Sequence, residues 1–152
     1  WTWTSHFATH RPDDGLPQPL ALNLHVFLDE VNEFNGPIYF MPGSHKHGPA
    51  DVLHDISSTS YPLWVVHEET VSKLVADAGI VSATGPAGTV LIFGDLMVHG
   101  SPSNMSPWDR SIYSLILNPV TNAQTKFSRP EYKHHTNFTT VMPLSDDCLF
   151  KF

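Results

Sequence analysis

The sequence predicts an all-β domain with one short packing helix, and three observations carry that expectation. Thirteen prolines and nine glycines in 152 residues place turns at short intervals and leave little room for a helical bundle. Residues 21–31, ALNLHVFLDEV, alternate with the two-residue period of a strand. Residues 88–120 read as strand, polar loop, strand, with apolar, β-branched and aromatic runs at 89–93 and 110–120.

Taken in order, residues 1–10 alternate loosely and read as extended chain, and the proline-rich 11–19 as loop. In the strand at 21–31, Leu22, Leu24, Val26 and Leu28 form one face; Asn23, His25, Phe27 and Asp29 form the other. His25 alone is a strand histidine with its bonds satisfied, since a metal role needs convergent partners. An acidic turn over 30–36 leads into a strand at 37–41. His45, Lys46 and His47 read as a solvated turn, because adjacent turn residues seldom converge on one ion. Residues 51–61, with a run of hydroxyl side chains, read as a surface loop. The helix is expected at 67–79: Val71, Leu74, Val75 and Ala78 recur at helical spacing, Glu68 and Glu69 sit in the first turn, and Gly79 stops it. A short strand at 80–84 and a turn at 85–88 deliver the chain to the strand at 89–93. The polar tail beyond Val120 places His134 and His135 in solvent. No repeat or linker divides the chain, so residues 1–152 read as one domain.

Hydrophobic residues make up 41% and charged residues 15%, a globular composition. The net charge is −7 and the eight basic residues are scattered, which argues against a nucleic-acid surface. No apolar run approaches the ~20 residues of a membrane span, and no signal peptide is visible. The single cysteine, Cys148, excludes an intrachain disulfide and fits a reducing, cytoplasmic setting. The opening Trp-Thr-Trp-Thr, without Met, reads as the middle of a strand and suggests a fragment of a longer domain.

The chemistry concentrates in the loop between the last two strands, which runs from His99 to Arg110. An imidazole at the mouth of a buried hairpin can hold a metal, and a guanidinium opening the return strand can clamp a carboxylate with two parallel hydrogen bonds. On neighbouring strands the two suggest an oxygenase site. The plainer alternatives are a core histidine bonded to backbone and an arginine paired with Asp109 or another carboxylate.

The spacing of His99 and Arg110 resembles the distal histidine and 2-oxoglutarate arginine of the phytanoyl-CoA dioxygenase family, in particular its ectoine-hydroxylase-like branch. Supporting segments are Asp14-Gly15-Leu16-Pro17, Phe34-Asn35-Gly36-Pro37, Met41-Pro42-Gly43-Ser44-His45-Lys46 and Asn104-Met105-Ser106-Pro107. The resemblance implies a double-stranded β-helix (a jelly-roll, cupin-like barrel), truncated here at its N-terminus. It implies Fe(II) and 2-oxoglutarate as cofactors, with O2 and a small polar metabolite as substrates. It further implies His99 as metal ligand, Arg110, Ser101 and Asn23 as cosubstrate contacts, and His10, Trp108 and Arg129 near the substrate. With Trp3 set on the tryptophan of the family's Trp-His-x-Asp-Phe, Thr4 falls on the histidine and His6 on the aspartate. Thr is a poor iron ligand, so His6 is the second metal candidate; Asp95 is a conceivable substitute carboxylate but suits a turn cap better.

The function the resemblance implies is a hydroxylase that couples decarboxylation of 2-oxoglutarate to C–H oxidation. The alternatives are a non-catalytic relative with a degenerate metal site, a zinc enzyme of another class using His6 and His99, and a halogenase variant read from His6-Phe7-Ala8.

Overall fold

A computed structural model describes residues 2–57, 63–127 and 139–148; Arg129, His134 and His135 lie outside them. The elements in order are α1 (His6–Asp14), β1 (Leu22–Phe27), β2 (Ile38–Phe40), β3 (Val52–Asp55), β4 (Leu63–Val66), α2 (Glu68–Ala78), β5 (Val81–Ala83), β6 (Val90–Gly94), β7 (His99–Gly100) and β8 (Ile112–Leu117). One antiparallel sheet has the order β6-β1-β8, a second β5-β2-β7, and β3 pairs with β4. Ile38 and Phe40 of the second sheet pack on Phe93, Leu91 and Ile112 of the first, so the two sheets face each other around a shared lumen. This is the jelly-roll arrangement the sequence predicts.

Three local expectations need correction. Residues 6–14 form a helix rather than extended chain and loop. Ser5 caps it, its side chain accepting from the Ala8 N–H at 3.2 Å, and Gly15 closes it at φ 65°. The turn continues past Pro12 because Phe7 and Ala8 bury their side chains. Residues 52–55, expected as loop, are β3, held in register against β4 from Val52↔Val66 to Asp55↔Leu63. Finally, β6 and β8 are not a hairpin: β1 lies between them, pairing Leu24 with both Ile92 and Leu115.

The helix α2 ends at Gly79, whose N–H donates to the Val75 carbonyl at 2.8 Å. Leu74, with Val71 and Val75 beside it, packs against Trp3, Met41, Val66 and Val98, so the apolar stripe is packing, as expected. His45, Lys46 and His47 lie exposed on a 3-10 turn over Ser44–His47.

Burial decides which face of β1 looks inward. On β1 the polar set Asn23 and His25 shares the buried lumen side with Phe27, whereas Leu22 is 49% exposed and Leu28 58%. The outward leucines continue into Ile92, Val90, Leu115 and Tyr113 on the flanking strands.

Candidate active site

His99 sits on β7, paired with Phe40 of β2 on one side and bridged to Thr4 on the other by two backbone bonds of 2.9 Å. Its Nδ1 lies 2.8 Å from the Met97 carbonyl, to which it donates, leaving Nε2 as a bare nitrogen. His6, the first residue of α1, stacks on His99 with ring centroids 5.0 Å apart, and on His10 at 5.9 Å. His10 Nδ1 is 2.7 Å from the buried carboxylate of Asp14. Burial, reinforced by the neighbouring imidazoles His99, His10 and His25, pushes the His6 pKa down to about 3. Burial lowers His99 as well, against a raising effect of its bond to Met97. Both rings are therefore neutral near pH 7, the state a metal ligand requires.

Thr4 adds no donor to this pair, because its hydroxyl donates to the Trp64 carbonyl at 3.0 Å and lies 3.2 Å from the Thr9 hydroxyl. Asp95 serves the fold: it is buried, its carboxylate accepts from the Ala21 N–H at 3.3 Å, and its carbonyl accepts from the Phe7 N–H at 2.9 Å. Burial raises its pKa. Among the described residues no three His, Cys, Asp or Glu side chains converge on one point.

Arg110 lies two residues before β8, half-buried, and burial lowers its pKa from the usual guanidinium value. Among the described residues it has no ion pair or hydrogen bond, so the pairing with Asp109 is absent. It is not on a strand neighbouring His99: it belongs to the edge of one sheet and His99 to the other. By the two-residue period of β8 it shares a side with Ile112 and Ser114, and Ser114 faces His25 in the register.

The fully buried Asn23 side chain has no partner on either amide atom. Burying an amide unpaired costs a few kcal/mol, so these atoms call for a polar partner in the lumen, a water or a ligand. His25, expected to be satisfied, is not: Ser114 Oγ bonds its Nε2 at 3.0 Å, but the buried Nδ1 has no partner. Phe93 links these groups, its ring 5.2 Å from both His25 and His99, 6.1 Å from His6 and 4.9 Å from Phe40. Sequence reasoning missed Phe93 and His25 as site residues; the available signal was that His25 falls two residues after Asn23 on one strand face.

Two other expected site residues are exposed to solvent. Ser101 is exposed just after β7. Trp108 is 55% exposed and lines a surface pocket with Asp29, Glu30, Asn32, Pro107 and Asp109. No helix of the described residues is long and apolar enough to cross a membrane.

The two-sheet barrel thus carries the His6–His99 pair at one side of its lumen and, at another, the Asn23 amide and an Arg110 guanidinium that has no partner among the described residues. The phytanoyl-CoA dioxygenase (PhyH) family model matches residues 3–112. L-proline trans-4-hydroxylase of Streptomyces griseoviridis is 32% identical over 98% of this chain and 59% of its own length. Ectoine dioxygenase of Sphingopyxis alaskensis is 36% identical over 82% of this chain and 42% of its own. The crystal structure of EctD from S. alaskensis with 2-oxoglutarate and 5-hydroxyectoine superposes with a TM-score of 0.68 at 33% identity, covering 82% of this chain and 40% of that one. The form with bound Fe gives a TM-score of 0.68 at 32% identity, over 86% and 43%. The chain thus spans roughly half the length of the relatives it matches. It belongs to the phytanoyl-CoA dioxygenase family, in the ectoine-hydroxylase-like branch.

Proposed function

We propose that this chain carries the core of an iron(II)/2-oxoglutarate-dependent dioxygenase that hydroxylates a small polar metabolite with O2. The observation that carries the reading is the fully buried, unpartnered Asn23 amide in a lumen wall that also holds Arg110, whose guanidinium has no partner among the described residues. A dicarboxylate supplies what both lack: acceptor oxygens for the guanidinium and for the amide NH2. His99 and His6 would hold the iron, each as a neutral imidazole, and the Met97 carbonyl keeps the His99 ring oriented with Nε2 free. When bound, iron with 2-oxoglutarate supplies the oxidising power for C–H hydroxylation. The residues around it bind and orient: Arg110 fixes the far carboxylate, and Phe93 and Phe40 keep the imidazole pair dry. Ser101 as a hydroxyl partner of the cosubstrate, and His10, Trp108 and Arg129 on the substrate side, complete the proposal on family resemblance. We take residues 1–152 as one barrel unit working in the cytoplasm.

A second reading, a non-catalytic relative, is favoured by one observation: the Thr4 hydroxyl is engaged by Trp64 and Thr9, leaving two imidazoles where the class uses three ligands. Anaerobic titration with iron(II) and 2-oxoglutarate separates the two. The expected result is a visible charge-transfer band of the chelate, lost in His99→Ala. Arg110→Ala is expected to weaken 2-oxoglutarate by about a hundredfold or more, the scale of a lost buried charge pair. A folded chain that gives no band, yet binds 2-oxoglutarate, supports the non-catalytic reading.

A further inference from the structure

We propose that His25 is a second anchor for the cosubstrate, donating from Nδ1 to the carboxylate that Arg110 holds, and that it thereby selects a dicarboxylic 2-oxo acid over a monocarboxylic one. The proposal rests on the 2-oxoglutarate reading above and extends it to a residue that reading does not use.

Asn23 and His25 are consecutive lumen-facing residues of β1, and each leaves a buried polar atom without a partner. Opposite His25 in the register stands Ser114, and two lumen positions before Ser114 along the chain comes Arg110. The four side chains therefore form one polar row across two paired strands. In the proposed arrangement Ser114 is the donor to the ring. With its Oγ 3.0 Å from Nε2, the hydroxyl can donate there, which leaves the single N–H of a neutral imidazole on Nδ1. The row then offers the lumen three donors, the guanidinium, the Asn23 NH2 and the His25 Nδ1–H, beside one acceptor, the Asn23 Oδ1. A carboxylate, which only accepts, is the group that satisfies all three. Burial and the Arg110 charge lower the pKa of His25, which keeps the ring neutral and consistent with this assignment. Phe93 packs edge-on against the ring at 5.2 Å and holds its plane. Ser114 is exposed on the lumen side of β8, which leaves a way in for a small acid.

The test is calorimetric binding of 2-oxoglutarate and of 2-oxobutyrate, which lacks the distal carboxylate, to the chain and its variants. His25→Leu is expected to weaken 2-oxoglutarate by about ten- to a hundredfold, the size of one charge-assisted hydrogen bond. Binding of 2-oxobutyrate should change less than about twofold, and His25→Asn, which restores a donor, should recover part of the loss. Ser114→Ala, at an exposed position, should shift 2-oxoglutarate in the same direction by less. Equal losses for both acids, or unchanged 2-oxoglutarate affinity in both His25→Leu and Ser114→Ala, would overturn the proposal alone. A parent chain that binds neither acid would overturn the cosubstrate reading and this proposal with it.

Discussion

Thr4 and His99 exchange both backbone bonds of an antiparallel bridge, so a side chain at position 4 emerges beside the imidazole of His99. Thr4→His combined with His6→Asp is therefore expected to complete a facial set of two histidines and a carboxylate and raise iron(II) affinity at least about tenfold, as followed by anaerobic titration. No gain would mean that position 4 does not face the metal. Single residues also set the acid sensitivity. His6, His25 and His99 all have folded pKa values below the 6.5 of a free imidazole. Below that value the unfolded chain takes up protons that the folded chain refuses. Stability is thus full above about pH 7 and falls as pH drops from 6.5 toward the folded values, about 3 for His6. Asp95, whose folded pKa is raised, opposes this between its ordinary 3.8 and its raised value. Chemical denaturation midpoints should fall from pH 7 to pH 5, and His6→Gln should flatten the slope; a pH-independent midpoint would contradict the burial of these rings.

The turn between β1 and β2 and the loop before β8 act as one unit. The buried Asn35 side chain donates from Nδ2 to the carbonyls of Glu30, at 2.8 Å, and Asp109, at 3.3 Å, while its Oδ1 accepts from the Asn32 N–H at 2.8 Å. The Phe34 carbonyl takes the Met105 N–H at 3.1 Å. Gly36 sits at φ 81°, and a Cβ there would stand 3.0 Å from the Pro102 carbonyl oxygen. Arg110 is thus seated by a turn more than seventy positions earlier in the chain. Gly36→Ala is expected to cost more than about 1 kcal/mol in stability, and Asn35→Ala to weaken 2-oxoglutarate binding by loosening the Asp109 carbonyl beside Arg110. Thermal melts and the same calorimetry check both; an Asn35→Ala chain with unaltered affinity would show that Arg110 needs no such brace. Elements differ in how plainly the sequence announces them. The helix α2 is legible from its spacing, its acidic first turn and Gly79. The helix α1 is not: Pro12 and a weak apolar pattern mask it, and only the Ser5 and Gly15 caps betray it. His99 and Arg110 stand out by residue type, but their placement on opposite sheets does not, because sheet order is set by which faces bury together and not by succession along the chain.

Across the whole molecule, each three-stranded sheet is built from strands distant in sequence, with β3–β4 the local exception. The outer side of β6-β1-β8 leaves Leu22, Ile92, Val90 and Tyr113 each about half exposed in adjoining rows. A continuous apolar surface of this kind is an association hazard. Refolding from denaturant should be accompanied by light scattering that Ile92→Lys lowers; unchanged scattering would place the sticky surface elsewhere. The pairing of Leu22 with Leu117 has a further cost in time. A ribosome adding 5–20 residues per second takes roughly five to twenty seconds to pass from one to the other. Until Val90–Gly94 is made β1 exists as a nascent strand with neither neighbour, and from then until β8 follows with only one, one face oily and the other carrying the amide and imidazole of the lumen. The yield of this barrel in a cell is therefore expected to respond to translation speed, temperature and chaperone supply as well as to the stability of the finished protein.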